Sequence, residues 1–240
     1  MAACRAECNV MNEAKQSLVF PFSLRPLPYA YDALEPHLDA QTMQLHHTKH
    51  HQGYIDQLNT ALEDYPLLHS FSIEELLKRL DKLPIAIRQT VHDQGGGHLH
   101  HQLFWNILKP PTDSNASRPV GSLASAISQE FGSFEGFKKK FIDAGTKHFS
   151  AGWVFLALNP ATTKLEVFSR PDHNNILAEK KHVLLVNDLW EHAYYLQHKS
   201  NRNEYLQSFW DIVNWEYVNE LYETAPASKD RLQGVSKRFV

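Results

Sequence analysis

Three short segments hold most of the side chains able to do chemistry. The first is His46-His47-Thr48-Lys49-His50-His51-Gln52-Gly53-Tyr54. His46, His50 and Tyr54 recur at four-residue steps and would share one face of a helix. Taken alone, this stretch reads as a polar surface stripe that happens to be rich in histidine. The second is Gly95-Gly96-Gly97-His98-Leu99-His100-His101-Gln102-Leu103-Phe104-Trp105. Each glycine in a helical pattern costs about 1 kcal/mol relative to alanine, and close approach of another group is the usual compensation. Gly97 lies one turn before His101, which leaves a small space beside an imidazole walled by Phe104 and Trp105; a helix cap or a flexible stretch is the alternative. The third is Asp188-Leu189-Trp190-Glu191-His192-Ala193-Tyr194-Tyr195. Asp188 is a good helix N-cap, but a carboxylate at a strand end and His192 in the following turn can also meet at one point.

Together these segments offer His46, His101, Asp188 and His192 as three imidazoles and a carboxylate. Such a mixed set suits iron, manganese or zinc. No thiolate is at hand, which excludes a cysteine-type structural zinc site. Residue types and spacing leave three chemistries open: a redox metal enzyme, a zinc hydrolase that activates water, and a His-rich metal-binding protein without turnover.

Several elements must position these groups. From Tyr29 to Leu108 the pattern is helical, with Met43, Tyr54, Ile55, Leu58, Ala61 and Leu62 at three- and four-residue steps. Glu74 to Leu83 is a short amphipathic piece, and a helix through Thr90 and His101 ends where Lys109-Pro110-Pro111 forbids continuation. Residues 110–121, rich in Pro, Ser, Asn and Asp, read as a linker. Leu123 to Phe141 suggests two helices. Trp153–Asn159 and Thr163–Ser169 read as strands joined by a turn, and Val183–Val186 as a third strand. Trp190–His198 and Tyr205–Tyr222 close the chain as helices. The expected class is α+β, with a helical domain over 21–109 and a domain over 122–240 that wraps helices around a small sheet.

The chain has 240 residues, 42% hydrophobic and 21% charged, with a net charge of -3. Nothing in that balance points to nucleic acid, and an anionic substrate would have to be drawn in by local charge. Of the 15 His and 2 Cys, both cysteines, Cys4 and Cys8, lie in the first ten residues. They cannot staple a core, so a disulfide framework is excluded, and a reducing, cytoplasmic location is expected. No stretch approaches the roughly 20 apolar residues needed to span a bilayer. Residues 1–20, which include Arg5, Glu7, Glu13 and Lys15, lack the apolar run of a signal peptide and are expected to be a disordered extension.

From Leu24 to Tyr222 the sequence resembles the iron/manganese superoxide dismutases. The motifs are Leu27-Pro28-Tyr29, Tyr31-Asp32-Ala33-Leu34-Glu35-Pro36, His46 to Tyr54, Gly96-Gly97-His98 with His101, Asp188 to Tyr195, Phe209-Trp210-Asp211 and Val213-Asn214-Trp215. The resemblance implies an N-terminal helical hairpin followed by an α/β domain with a three-stranded antiparallel sheet. It implies one manganese or iron ion per subunit, held by His46, His101, Asp188 and His192, with a bound water or hydroxide. Manganese is slightly preferred, and use of either metal is open. Superoxide would be the substrate. Tyr54 and His50 match the mouth of the substrate funnel, and Trp105, Trp153 and Trp190 the aromatic shell. Glu191 and His192, together with Tyr195 and His50, match contacts across a homodimer, with a tetramer left open.

The sequence also departs from that family's pattern. Where relatives place a glutamine beside the bound solvent, Gly97 is bare and the aligned loop reads Pro171-Asp172-His173-Asn174-Asn175. His173 is therefore expected to fill the space at Gly97, reach the bound solvent and act in catalysis. Val186 replaces a common glycine. Asn201 stands where many relatives have a funnel arginine, leaving Lys49 and Arg202 as candidates to steer the anion. His100, where asparagine is common, reads as a surface choice.

Overall fold

The computed structural model describes residues 18–111, 117–174 and 177–225. Cys4, Cys8 and the rest of the expected 1–20 extension up to residue 17 lie outside the described residues, as does 112–116 of the linker. Phe20, placed in that extension by the sequence reading, stacks on His69 with ring centroids 3.8 Å apart.

The helical run begins at Ala40, not at Tyr29; residues 31–38 form turns. Helix α1 (Ala40–Leu45) starts where Asp39 accepts a hydrogen bond from the Thr42 amide at 2.8 Å. It runs into a π-helical turn, His46–His51, and then into α2 (Gln52–Leu62). Helix α3 (Ile73–Leu77) opens on a capping box made by Ser72 and Glu75. Helix α4 (Ile85–Asn106) follows Pro84 and packs along α2, so the first half is a helical hairpin. Leu58, Leu62, Ile73, Leu76 and Val91 form its inner core.

In the second half come α5 (Gly121–Phe131) and α6 (Phe134–Lys147), then strands β1 (Gly152–Asn159), β2 (Lys164–Pro171) and β3 (His182–Asp188). The strands form an antiparallel sheet in the order β2-β1-β3. Strand β1 is central and buried almost throughout, which is why its sequence is a continuous apolar run. Trp153 on β1 pairs directly with Asp188 on β3. A larger core joins this sheet to α4 through Phe104, Trp105, Trp153 and Phe155.

The C-terminal region departs from the expected helices. Trp190 is extended, Glu191–Ala193 is a single 3-10 turn, and α7 (Tyr195–His198) is one turn long. The helix expected over Tyr205–Tyr222 is broken into α8 (Arg202–Ser208), a 3-10 turn (Phe209–Ile212) and α9 (Trp215–Thr224). The break has a tertiary cause. The Lys109 amide donates to the Ile212 carbonyl at 2.8 Å and the Asn214 amide to the Ile107 carbonyl at 2.7 Å. These bonds to the end of α4 satisfy backbone groups that a continuous helix would have paired internally. Among the described residues no helix is long and apolar enough to cross a membrane.

Candidate metal centre

Four elements meet at one point. His46 opens the π turn, His101 lies late in α4, Asp188 ends β3 and His192 sits in the 3-10 turn. Their ligand-capable atoms all lie within 4.8 Å of one another. The three Nε2 atoms stand 3.1, 3.5 and 3.3 Å from Asp188 Oδ2 for His46, His101 and His192. Yet none of these four atoms has a properly angled hydrogen bond to any described residue, although all are buried. The donors therefore point at a shared centre instead of at each other.

Two of the donors are held from behind. His101 Nδ1 lies 2.6 Å from the Gly97 carbonyl, which places the proton on Nδ1 and turns the Nε2 lone pair inward. Asp188 Oδ1 accepts the Trp190 amide at 2.8 Å, leaving Oδ2 for the centre. Burial pushes His46 down to about 4, only partly offset by Asp188. His101 is pushed well down by burial and by the surrounding imidazoles. Burial opposes ionisation of Asp188, but the imidazoles of His192 and His46 that face it outweigh that cost, so the carboxyl sits below its usual range. Neutral imidazoles beside a carboxylate are the ligating forms. Three imidazole nitrogens and one carboxylate oxygen in a buried pocket fit a hard or borderline divalent or trivalent ion.

Around this set, Trp105 packs edge-on to His46 at 4.8 Å and Trp153 edge-on to His101 at 5.0 Å. Tyr54, half-buried, lies 5.1 Å from the His101 ring and 4.6 Å from that of His173; burial raises its hydroxyl pKa, keeping the proton on. His50 is exposed and stacks on His192 at 3.9 Å and 14°. The π turn explains this. Bonding from i to i+5 adds a residue to the turn, so His46, His47 and His51 point inward while His50 turns to the rim.

His173 is buried and stacks on Trp190 at 4.8 Å and 9°. Its Nδ1 accepts the Trp153 indole N–H at 3.1 Å. An indole can only donate, so in the neutral ring the proton is on Nε2, and that atom is buried without a partner among the described residues. The expected contact with Gly97 is corrected, however. A Cβ on Gly97 would meet the Tyr54 ring at 2.8 Å, whereas one on Gly96 would meet the His173 carbonyl oxygen at 2.3 Å. Tyr54 covers Gly97, and the His173 backbone rests on Gly96.

Two further expectations change. His100 is not on the surface; it is buried against Trp153 and Phe155, its ring 5.2 and 5.3 Å from theirs. Arg202 is tied up in hydrogen bonds within the fold. Its guanidinium donates to the carbonyls of His148, Ser150 and Leu189 and to the Tyr194 hydroxyl, at 2.7–3.2 Å. Asn201 caps α8 by accepting the Glu204 amide. Lys49 remains exposed. The sequence reading passed over His51 and His98, both buried beside Trp105; their place beside one another follows from the π turn, which helical periodicity does not signal.

Comparison with known proteins agrees over nearly the whole chain. "Iron/manganese superoxide dismutases, alpha-hairpin domain" matches residues 21–109, and the C-terminal domain of the same family matches residues 119–221. The chain is 43% identical over 211 residues to "Superoxide dismutase [Mn] 3" of Leptolyngbya boryana, covering 88% of this chain and 87% of that one. It is 44% identical over 206 residues to "Superoxide dismutase [Mn]" of Thermus thermophilus, covering 86% and 99%. The corresponding protein of Listeria monocytogenes is 44% identical over 204 residues, covering 85% and 98%.

Proposed function

The chain belongs to the iron/manganese superoxide dismutase family, and from that membership we propose its function: it converts two superoxide anions and two protons into dioxygen and hydrogen peroxide with one bound manganese or iron ion per subunit. The observation that carries this reading is the convergence of four buried, otherwise unpartnered donor atoms, Nε2 of His46, His101 and His192 and Oδ2 of Asp188, within 4.8 Å. These four residues would hold the ion. When bound, it supplies a one-electron couple that can alternate between the two half-reactions. Relatives named for manganese favour that metal, and use of iron as well is open to test.

The chain's own residues do the rest. Asp188 and three neutral imidazoles bring a single negative charge to the centre, so the ion's positive charge is only partly cancelled and an anion is attracted. Trp105, Trp153 and Trp190 exclude bulk water. His173, held on Trp153, presents its Nε2–H as a donor toward solvent or substrate at the centre. Tyr54, protonated beside it, keeps a second donor, its hydroxyl proton, at the mouth. His50 completes the rim by stacking on His192.

The active form is proposed to be a homodimer joined through Glu191, His192, Tyr195 and His50, with pairing of dimers into tetramers a further step. Exposed Phe149, Tyr195 and Leu196, too apolar for a lasting solvent face, support such a contact. Residues 21–109 and 122–240 would then be two units with the ion between them. The lack of core cysteines supports a reducing, cytoplasmic location.

The test is dismutation by metal-free protein reloaded separately with manganese and with iron, metal being counted in each sample. Turnover with at least one metal is expected. Activity with one alone would mean that His173 and Val186 tune the couple for that ion; activity with both would make the enzyme indifferent to metal. One bound ion per chain with no turnover in either form would overturn the proposal.

A further inference from the structure

A hydrogen-bond chain leads away from the metal centre, and its direction can be worked out atom by atom. It starts at Trp105, whose ring packs edge-on to His46 at 4.8 Å. The Trp105 indole N–H donates to His51 Nδ1 at 2.9 Å. Because an indole nitrogen only donates, His51 Nδ1 must be the unprotonated nitrogen. In the neutral ring the proton is then on His51 Nε2, which lies 2.8 Å from His98 Nδ1. His98 Nδ1 is therefore an acceptor, and the His98 proton is on Nε2. That atom is buried and finds no acceptor among the described residues, and His98 as a whole is only 2% exposed. A buried N–H left without a partner costs about 1–3 kcal/mol. His98 and His51 line a cavity of about 30 Å3, shared with Arg25, Gln102, Trp105 and Asn106. A water needs roughly 10–15 Å3, which this cavity provides, and Ser23, Arg25, Gln102 and Asn106 put polar side chains among its walls.

We propose that this cavity holds one buried water that accepts the His98 Nε2–H, and that His98, acting through His51, is a positioning residue that sets the orientation of Trp105 against the metal ligand His46. Every link has one permitted direction. Reversing His98 would set His51 Nε2–H against a second N–H, and reversing His51 would deprive the indole of its acceptor. The water thus anchors a three-residue chain that ends at the metal site.

The proposal rests on the metal-site reading, but its first test does not depend on turnover. A crystal structure of the manganese-loaded holoenzyme, resolved well enough to show waters, should contain one water within hydrogen-bond distance of His98 Nε2. A dry cavity, or a His98 ring turned so that Nδ1 faces the cavity, would overturn the assignment whether or not the enzyme dismutes superoxide. The second test compares His98→Leu with His98→Gln, each loaded with manganese and counted for metal. Leucine leaves His51 Nε2–H without an acceptor, whereas glutamine can both accept from His51 and donate to the water. His98→Leu should shift the visible absorption band of the oxidised manganese form and lower turnover per metal about 10-fold; His98→Gln should restore both. A folded His98→Leu protein with an unshifted band, or equal damage in both variants, would refute the positioning role.

Discussion

Replacing Gly96 by alanine should damage the site without unfolding the protein, and the two effects can be sized separately. A Cβ at Gly96 would lie 2.3 Å from the carbonyl oxygen of His173 and 3.2 Å from its Cβ. Ordinary contact begins at 3.4 Å, so 3.4 minus 2.3 leaves 1.1 Å to be found. The obstructing atom is backbone, and it belongs to the loop that carries His173, so that loop has to move as a unit. Overpacking of this kind costs about 1–3 kcal/mol, while alanine regains about 1 kcal/mol of helix propensity in α4. The net loss is then about 0–2 kcal/mol, or a fall in Tm of at most about 8 °C for a chain of this size. Activity should suffer more, because a 1 Å misplacement near the reacting groups costs on the order of 100-fold. The assay is dismutation per bound metal together with thermal unfolding of the same samples. Gly53→Ala is the control: nothing lies within 4 Å of its Cβ inside α2, so it should gain about 1 kcal/mol and keep wild-type turnover. A fully metallated Gly96→Ala enzyme with wild-type turnover and Tm would refute the contact between α4 and the His173 loop.

Asp188→Asn removes the only anion among the four donors, and metal affinity should fall by more than about 100-fold, checked by metal content after dialysis against a competing chelator. Arg202→Lys should cost about 1.5–3 kcal/mol, since an ammonium cannot span three carbonyls and a hydroxyl. Urea denaturation reads that loss; in Arg202→Gln, which removes the charge, the ionic-strength dependence of turnover should stay unchanged, and a changed dependence would return Arg202 to a steering role. His98 is pushed down by burial to about 4 in the fold from 6.5. Between these values the unfolded state binds the extra proton, so stability falls as pH drops from 6.5 toward 4, by about 3 kcal/mol in total. In metal-free protein, denaturation series across that range should slope less for His98→Gln than for wild type.

The residue types at His46, His101, Asp188 and His192, and the motifs around them, were legible because ligand chemistry depends on which side chains are present. The three strands were legible too, since an apolar run such as Trp153 to Leu158 has few other uses. What the sequence could not disclose depended on groups far apart in the chain. Periodicity counts 3.6 residues per turn and cannot foresee the π turn that sends His50 to the rim and His51 inward. It cannot see that Val213 bridges to Leu108, so a helix that looks continuous from Tyr205 to Tyr222 breaks to feed backbone bonds to α4. Burial of His100 against Trp153 and Phe155, the clasp of Arg202 on three carbonyls, and the exchange of partners at Gly96 and Gly97 have the same origin. In each case a local preference permits several outcomes, and packing between distant elements selects one, because buried polar groups and close-packed rings must all be satisfied at once.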